Sequence, residues 1–205
     1  MRNLLISIVL LTVAAVPALG QSSWISMFSD IGGTDCNLPD VTPQLTPYYV
    51  VHYMYTPEGS TASQFWAPQP WCLGAIYLSD TAVFPVTIGN SQEGVSIGYG
   101  SCHTNRVHVL TLNFFTQGTS PSCCCYFVYP HPASTTGEVE VVDCNNNLVT
   151  ATGGWGYVNA DWVNCGCWVG NQSGGSGPAG PYGCINDPIA VEQATWGKVK
   201  SLYSD

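Results

Sequence analysis

The chain has 205 residues, with four Lys+Arg against thirteen Asp+Glu and a formal net charge of −9 at pH 7. A chain this acidic repels phosphate backbones and anionic lipid, which excludes nucleic acid and anionic membrane surfaces as partners. Charged residues are only 8% of the sequence, so solubility rests on Ser, Thr, Asn, Gln and Gly, a composition of extracellular β-proteins rather than cytosolic enzymes.

The first twenty residues, MRNLLISIVLLTVAAVPALG, read as a signal peptide over 1–20. Arg2 is the charged start, Leu4 to Val16 an apolar run too short to span a bilayer, and Ala18-Leu19-Gly20 a small-x-small cleavage site. Cleavage leaves three basic residues against thirteen acidic ones, a net of −10, and no further run long enough for a membrane span. The remaining length suits one domain with its own core.

Residues 21–152 read as a β-sandwich domain. Trp24–Phe28 is a candidate strand, followed by a turn at Gly32-Gly33. TPYYVVHYMY, from Thr46 to Tyr55, is β-branched and aromatic without a breaker after Pro47. Gln64–Trp66 reads as a short strand that Pro68 and Pro70 confine to an edge. Leu73–Leu78 and Val83–Ile88 are further apolar runs, separated by turn signals from the stretch Gly94–Pro130.

That stretch reads as three consecutive antiparallel strands joined by polar turns. In the first, Val95, Ile97 and Tyr99 alternate with Ser96 and Gly98. The second, Val107–Phe115, has neither face purely polar, as in a central strand covered on both sides, or covered on one side and rimmed by aromatics on the other. The third places Cys123, Cys125, Phe127 and Tyr129 on one face and Cys124, Tyr126 and Val128 on the other. Glu138–Cys144 alternates, with Val139 and Val141 inward and Glu138 and Glu140 outward. An Asn145–Asn147 turn leads to a hairpin partner at Leu148–Thr152. About ten short strands at this spacing predict an all-β, antiparallel, immunoglobulin-like sandwich.

Residues 153–186 are rich in Gly, Asn, Ser, Trp and Cys and read as an extension without regular structure, pinned by its cysteines. Residues 187–205 carry helix grammar: Asp187 as a cap, Pro188 at the first helical position and Lys198 and Lys200 late.

All ten cysteines (Cys36, Cys72, Cys102, Cys123, Cys124, Cys125, Cys144, Cys165, Cys167 and Cys184) follow the leader. An even number in an exported chain predicts a disulfide framework. The paired spacings typical of zinc sites are missing, so no metal and no cofactor is expected. Adjacent strand cysteines face opposite ways, so Cys124 is expected to bond a different region from Cys123 and Cys125.

The set TDCNL, VTIGNSQEGVSIGYGSC, a Cys-Cys pair opening a strand, EVEVVDCNNNLVTATGG and a terminal TWGKVKSLY resembles small exported, cysteine-rich β-proteins of poorly characterised bacteria. The resemblance implies export and implies no activity. It also implies that the tail over 196–203, with Trp196, Lys198, Leu202 and Tyr203 as its candidate residues and Lys200 at the lysine position of W-G-x-x-K-x-L-Y, is read by sorting or assembly machinery. This chain differs in ending YSD and in having three adjacent cysteines.

No catalytic constellation emerges. Glu138 and Glu140 share one strand face and read as solvated neighbours rather than a pair facing across a sugar. No G-x-S-x-G is present. His52, His103, His108 and His131 read as lone histidines, and Asp143, Asn145 and Asn147 as a plain turn rather than a calcium loop. The expected role is an exported, non-enzymatic structural or binding module, its partner a glycan or another extracellular protein. A carbohydrate-binding version would use loop tryptophans Trp66, Trp71, Trp155 and Trp162, whose faces stack on sugar rings. A secreted hydrolase would instead need a pocket holding at least two of His52, His103, His108, Asp143 and Glu138.

Overall fold

The structure, a computed structural model, describes residues 23–54 and 57–160. Twelve strands follow in chain order: β1 (Trp24–Phe28), β2 (Asn37–Leu38), β3 (Gln44–Tyr53), β4 (Ser60–Phe65), β5 (Ile76–Ala82), β6 (Val86–Asn90), β7 (Gly94–His103), β8 (Val107–Thr116), β9 (Cys124–Phe127), β10 (Val139–Val142), β11 (Leu148–Gly153) and β12 (Trp155–Val158). Among the described residues there is no helix. The signal peptide, Trp162, Cys165, Cys167, Cys184 and the tail with its expected helix lie outside the described residues.

Nine strands form one sheet in the order β5-β8-β3-β1-β11-β10-β4-β7-β6, and β2-β12-β9 form a second. The parallel pair β1–β11 joins the two halves of the large sheet. Its two edges, β5 and β6, are consecutive in the chain, so the sheet curls back on itself. Asp80 of β5 fastens the seam by accepting from the N–H and the Oγ–H of Ser91, just past β6. The result is an all-β, sandwich-like body with the core between the halves.

The core follows from the period of two. On β8, Leu110, Leu112 and Phe114 are buried, as are Tyr48 and Val50 on β3 and Val95 and Ile97 on β7. The small sheet adds Leu38, Cys124, Tyr126 and Val158 to the same cluster. Each fully buried large side chain contributes roughly 1.5–3 kcal/mol. Two of the buried tyrosine hydroxyls are matched by backbone carbonyls: Tyr48 donates to Pro39 O and Tyr126 to Ala67 O, each at 3.0 Å.

Several expectations need correction. The stretch Gly94–Pro130 is not a three-stranded meander. β7 pairs with β4 and β6, β8 pairs with β3 and β5, and β9 belongs to the small sheet. Thr104–Arg106 therefore arches between halves rather than closing a hairpin, which lets β8 be covered on one face while paired on both edges. β4 is not an edge. It ends at Phe65, before Pro68, and is paired on both sides by β10 and β7. Strands also continue past Thr152, because β12 runs through the middle of the small sheet between β2 and β9. Glu140 lies on the outer face of β10 but is only 5% exposed. Its Oε1 is captured by the N–H and hydroxyl of Thr135 and the N–H of Thr136.

Two disulfides join described residues. Cys72–Cys124 ties the loop before β5 to β9, and Cys102–Cys144 ties the end of β7 to the end of β10. Cys124 thus bonds away from its neighbours, as the alternation of faces requires. Cys36, Cys123 and Cys125 are disulfide-bonded as well.

Candidate functional site

After β4 the backbone of Trp66 exchanges two hydrogen bonds with Tyr129, at 2.9 and 2.7 Å. The Trp66 indole N–H donates to Gln92 O at 2.8 Å, which fixes the ring. Pro68-Gln69-Pro70 then turns the chain outward. Gln69 Nε2 donates to Leu73 O and Ala75 O, and Leu73 N–H donates to Pro70 O, so the turn is held from inside. Trp71 stands at its tip, 98% exposed. The next residue, Cys72, is bonded to Cys124 of β9.

Between this turn and the outer face of β9 lies an open groove of about 580 Å³. Trp66, Pro70, Trp71, Pro121, Phe127 and Tyr129 supply its apolar walls, Gln69 and Ser122 its polar groups, and among the described residues no charged side chain lines it. A continuous aromatic row crosses this side of the molecule. Trp66 and Tyr129 are 5.7 Å apart, Tyr129 and Phe127 5.7 Å, and Phe127 and Trp155 6.0 Å. The structure therefore brings Trp66 and Trp71 into one groove and sets Trp155 at the end of the same row. Phe127 and Tyr129 were not singled out from the sequence as site residues. Their signal was the alternation that puts them on one face with Cys125.

The residues that a hydrolase would need do not converge. Neither this groove nor a shallower one on the opposite sheet half is lined by His52, His103, His108, Asp143 or Glu138. His52 is fully buried, with Nδ1 2.8 Å from the Tyr99 hydroxyl, and burial together with nearby His103 lowers its pKa to about 3. Asp143 accepts from the N–H groups of Asn145 and Asn147 and from Asn147 Nδ2, which keeps its carboxyl below the usual range. Those ligand atoms are spent on a turn, with Asn146 at a φ of 65°. For Glu140, burial raises the carboxyl, but the Thr135 and Thr136 hydrogen bonds outweigh it and hold it low. Among the described residues no cluster of His, Cys, Asp or Glu is placed to hold a metal ion, and no helix is long and apolar enough to cross a membrane.

The shallower groove, of about 170 Å³, lies on the outer face of β11-β10-β4-β7-β6. Register places Leu148, Val142, Ala62, Gly98 and Val86 in one row across five strands. Leu148 and Val86 are 56% and 58% exposed, which makes this row an uncovered apolar stripe.

No protein-family model and no curated relative matches the sequence. Among solved structures, the chain is similar to the sixth cohesin of scaffoldin B from Acetivibrio cellulolyticus, solved with a Cel5 dockerin. Identity is 14%, coverage 69% of this chain and 100% of that one, and the TM-score 0.46. A cohesin module of a family 33 glycoside hydrolase from Clostridium perfringens gives 7% identity, 69% and 99% coverage and a TM-score of 0.45. A type III cohesin of the cell-surface anchoring scaffoldin ScaE from Ruminococcus flavefaciens gives 7%, 68% and 88%, and 0.41. Likenesses of this strength add nothing to the strand order above.

Proposed function

We propose that this chain is an exported, non-enzymatic binding module, built on an immunoglobulin-like sandwich, that holds a neutral carbohydrate on the Trp66–Trp71 groove. One observation carries the reading: Trp71 is 98% exposed on a turn braced from within, above a groove that already holds Trp66, Phe127 and Tyr129. Tryptophan is usually mostly buried, so a braced, exposed ring is a prepared stacking surface. A groove whose described walls are aromatics, Pro, Gln, Ser and Cys, with no charged side chain among them, suits a neutral ring better than an ionic ligand. Export is supported by the leader-like start, the bonded cysteines and the resemblance to small exported bacterial proteins. The tail with Trp196, Lys198, Leu202 and Tyr203 would then direct sorting or assembly. Deleting 194–205 would leave the domain folded but change its destination.

The test is retardation of the oxidised protein in native gels containing neutral polysaccharides. A second reading, an extracellular protein partner, is favoured by the stripe from Leu148 to Val86. In that case no polysaccharide retards the protein, and Val86→Asp abolishes capture of the partner while Trp71→Ala leaves it intact.

A further inference from the structure

Gln92 holds both walls of the Trp66–Trp71 groove without lining it. Its carbonyl accepts the Trp66 indole N–H at 2.8 Å, and its side-chain Oε1 accepts the Gln69 N–H, also at 2.8 Å. The first bond fixes the half-buried ring just past β4. The second ties down the Pro68-Gln69-Pro70 turn that raises Trp71. One bond comes from main chain and the other from side chain, so a substitution at 92 can break the second and spare the first.

Gln92 is itself held from behind. Asn90 Oδ1 accepts from the N–H groups of Gln92 and Glu93, at 2.9 and 3.0 Å, which sets the turn between β6 and β7. Ser91 is fully buried, and its carbonyl accepts from Ala67 N–H at 2.9 Å. Gln92 Nε2 donates to Ser91 Oγ at 2.9 Å. Ser91 donates in turn from its N–H and its hydroxyl to the Asp80 carboxylate, at 2.5 and 2.8 Å.

These bonds have a direction, and Asp80 sets it. A carboxylate only accepts, so the Ser91 hydroxyl turns its proton toward Asp80. Its lone pairs then face Gln92 Nε2, which leaves Gln92 Oε1 aimed at the Gln69 N–H. Each bond polarises the next, which strengthens the chain as a whole. The neighbouring Tyr77 hydroxyl, pushed up to about 12 by burial and then by Asp80, stays protonated and brings no second negative charge.

We propose that Gln92 and Asp80 are positioning residues of the groove: a hydrogen-bonded relay from Asp80 at the β5–β6 seam, through Ser91 and Gln92, holds the Trp71 turn in its binding position. The proposal rests on the carbohydrate reading for what the groove binds, but the relay itself can be read without a ligand. A near-isosteric change at Asp80 should therefore reach the groove. In Asp80→Asn the amide oxygen keeps the Ser91 N–H, the new Nδ2 faces Ser91 Oγ as a donor, and the hydroxyl proton is driven back against Gln92 Nε2. The chain loses its direction and the Gln69 N–H loses its acceptor.

The test is hydrogen exchange in the full-length oxidised protein, followed residue by residue by NMR, in wild type, Gln92→Ala and Asp80→Asn. The Gln69 N–H should exchange about tenfold or more faster in both variants, while the Trp66 indole N–H and the β3–β8 ladder amides keep wild-type rates. Faster exchange at all of them together would mean a general loss of stability and would overturn the relay, as would an unchanged Gln69 rate in Gln92→Ala. A faster rate in Gln92→Ala but not in Asp80→Asn would remove Asp80 from it. If Asp80→Asn fails to fold, Ser91→Ala, which deletes only the hydroxyl link, takes its place. Native gels containing a polysaccharide that retards the wild type give the second readout. Binding should weaken roughly two- to tenfold in both variants, because the freed turn must be ordered again on the ligand. Equal retardation despite faster exchange at Gln69 would overturn the positioning role. If no polysaccharide retards the wild type, the carbohydrate reading fails and the exchange rates still decide the relay.

Discussion

Asn159 and Asp40, 119 residues apart, clasp each other by a reciprocal pair of hydrogen bonds: Asp40 N–H donates to Asn159 Oδ1 and Asn159 Nδ2 donates to Asp40 O, both at 2.8 Å. Asp40 in turn gathers the next loop. Its carboxylate accepts from the N–H groups of Gln117, Gly118 and Ser120 and from the Ser120 hydroxyl. Burial raises this carboxyl, but the four donors outweigh it and keep it below the usual range. The end of β12 is thereby locked to the loops after β2 and β8.

Asn159 also holds a φ of 49°, a region costly for other L-residues. Asn159→Ala loses the side-chain bonds and pays the backbone strain, and should cost about 2–4 kcal/mol in urea unfolding. Asn159→Gly loses the bonds without the strain and should be about 1 kcal/mol milder. Equal losses for the two would show that the backbone geometry is of no consequence.

The buried histidine sets an acid limit. His52 is neutral in the fold, its pKa lowered from 6.5 to about 3, first by burial and then by His103. Between those values the unfolded chain binds a proton that the folded chain does not. Stability therefore falls as pH drops below about 6.5, by up to about 1.4 kcal/mol per pH unit. His108, half-buried and held low by its burial against an opposing bond with Leu110 O, acts in the same direction. Asp40, Glu140 and Asp143, held below their usual range, stabilise the fold above that range and lose the effect only in stronger acid. Unfolding free energies between pH 4.5 and 7 should thus slope steeply in the wild type and less in His52→Gln. An unchanged slope would mean that His52 protonates without unfolding the chain.

The Cys102–Cys144 bridge joins residues 42 apart and Cys72–Cys124 residues 52 apart. By loop entropy each contributes roughly 4 kcal/mol, nearly the same for both. Their consequences should differ. Paired replacement of Cys102 and Cys144 by Ser should lower stability and leave the groove intact. Paired replacement of Cys72 and Cys124 should lower stability and also release the Trp71 turn, read as weakened ligand binding at a temperature where the protein is still folded. Equal effects on binding would detach the groove from the disulfide.

How much of this was legible in the sequence depends on the range of the interaction. β1 and the β10–β11 hairpin were legible because their signals are local: a β-branched and aromatic run, alternation, and a left-handed Asn in the turn. The opposite orientations of Cys124 and Cys125 follow from the same period of two. The partners of β7 and β8 were not legible. A short polar connection looks the same whether it closes a hairpin or arches between sheet halves, and only the distant strands β3 and β4 decide. Glu140 reads as solvated because alternation reports its face and not the loop that folds over it. The groove divides in the same way. Loop tryptophans at 66 and 71 stand out locally, whereas their meeting with Phe127 and Tyr129 depends on the Trp66–Tyr129 bridge and the Cys72–Cys124 bond.

The most direct test is affinity electrophoresis of the wild type beside Trp71→Ala through gels containing a panel of neutral polysaccharides. Trp71 is almost fully exposed, so its removal should change stability by less than about 0.5 kcal/mol. The expected result is retardation of the wild type by at least one polysaccharide and loss of most of that retardation in the variant, with unfolding curves that coincide. Wild-type mobility unchanged by every polysaccharide, or equal retardation of both proteins, would contradict a carbohydrate site at this groove.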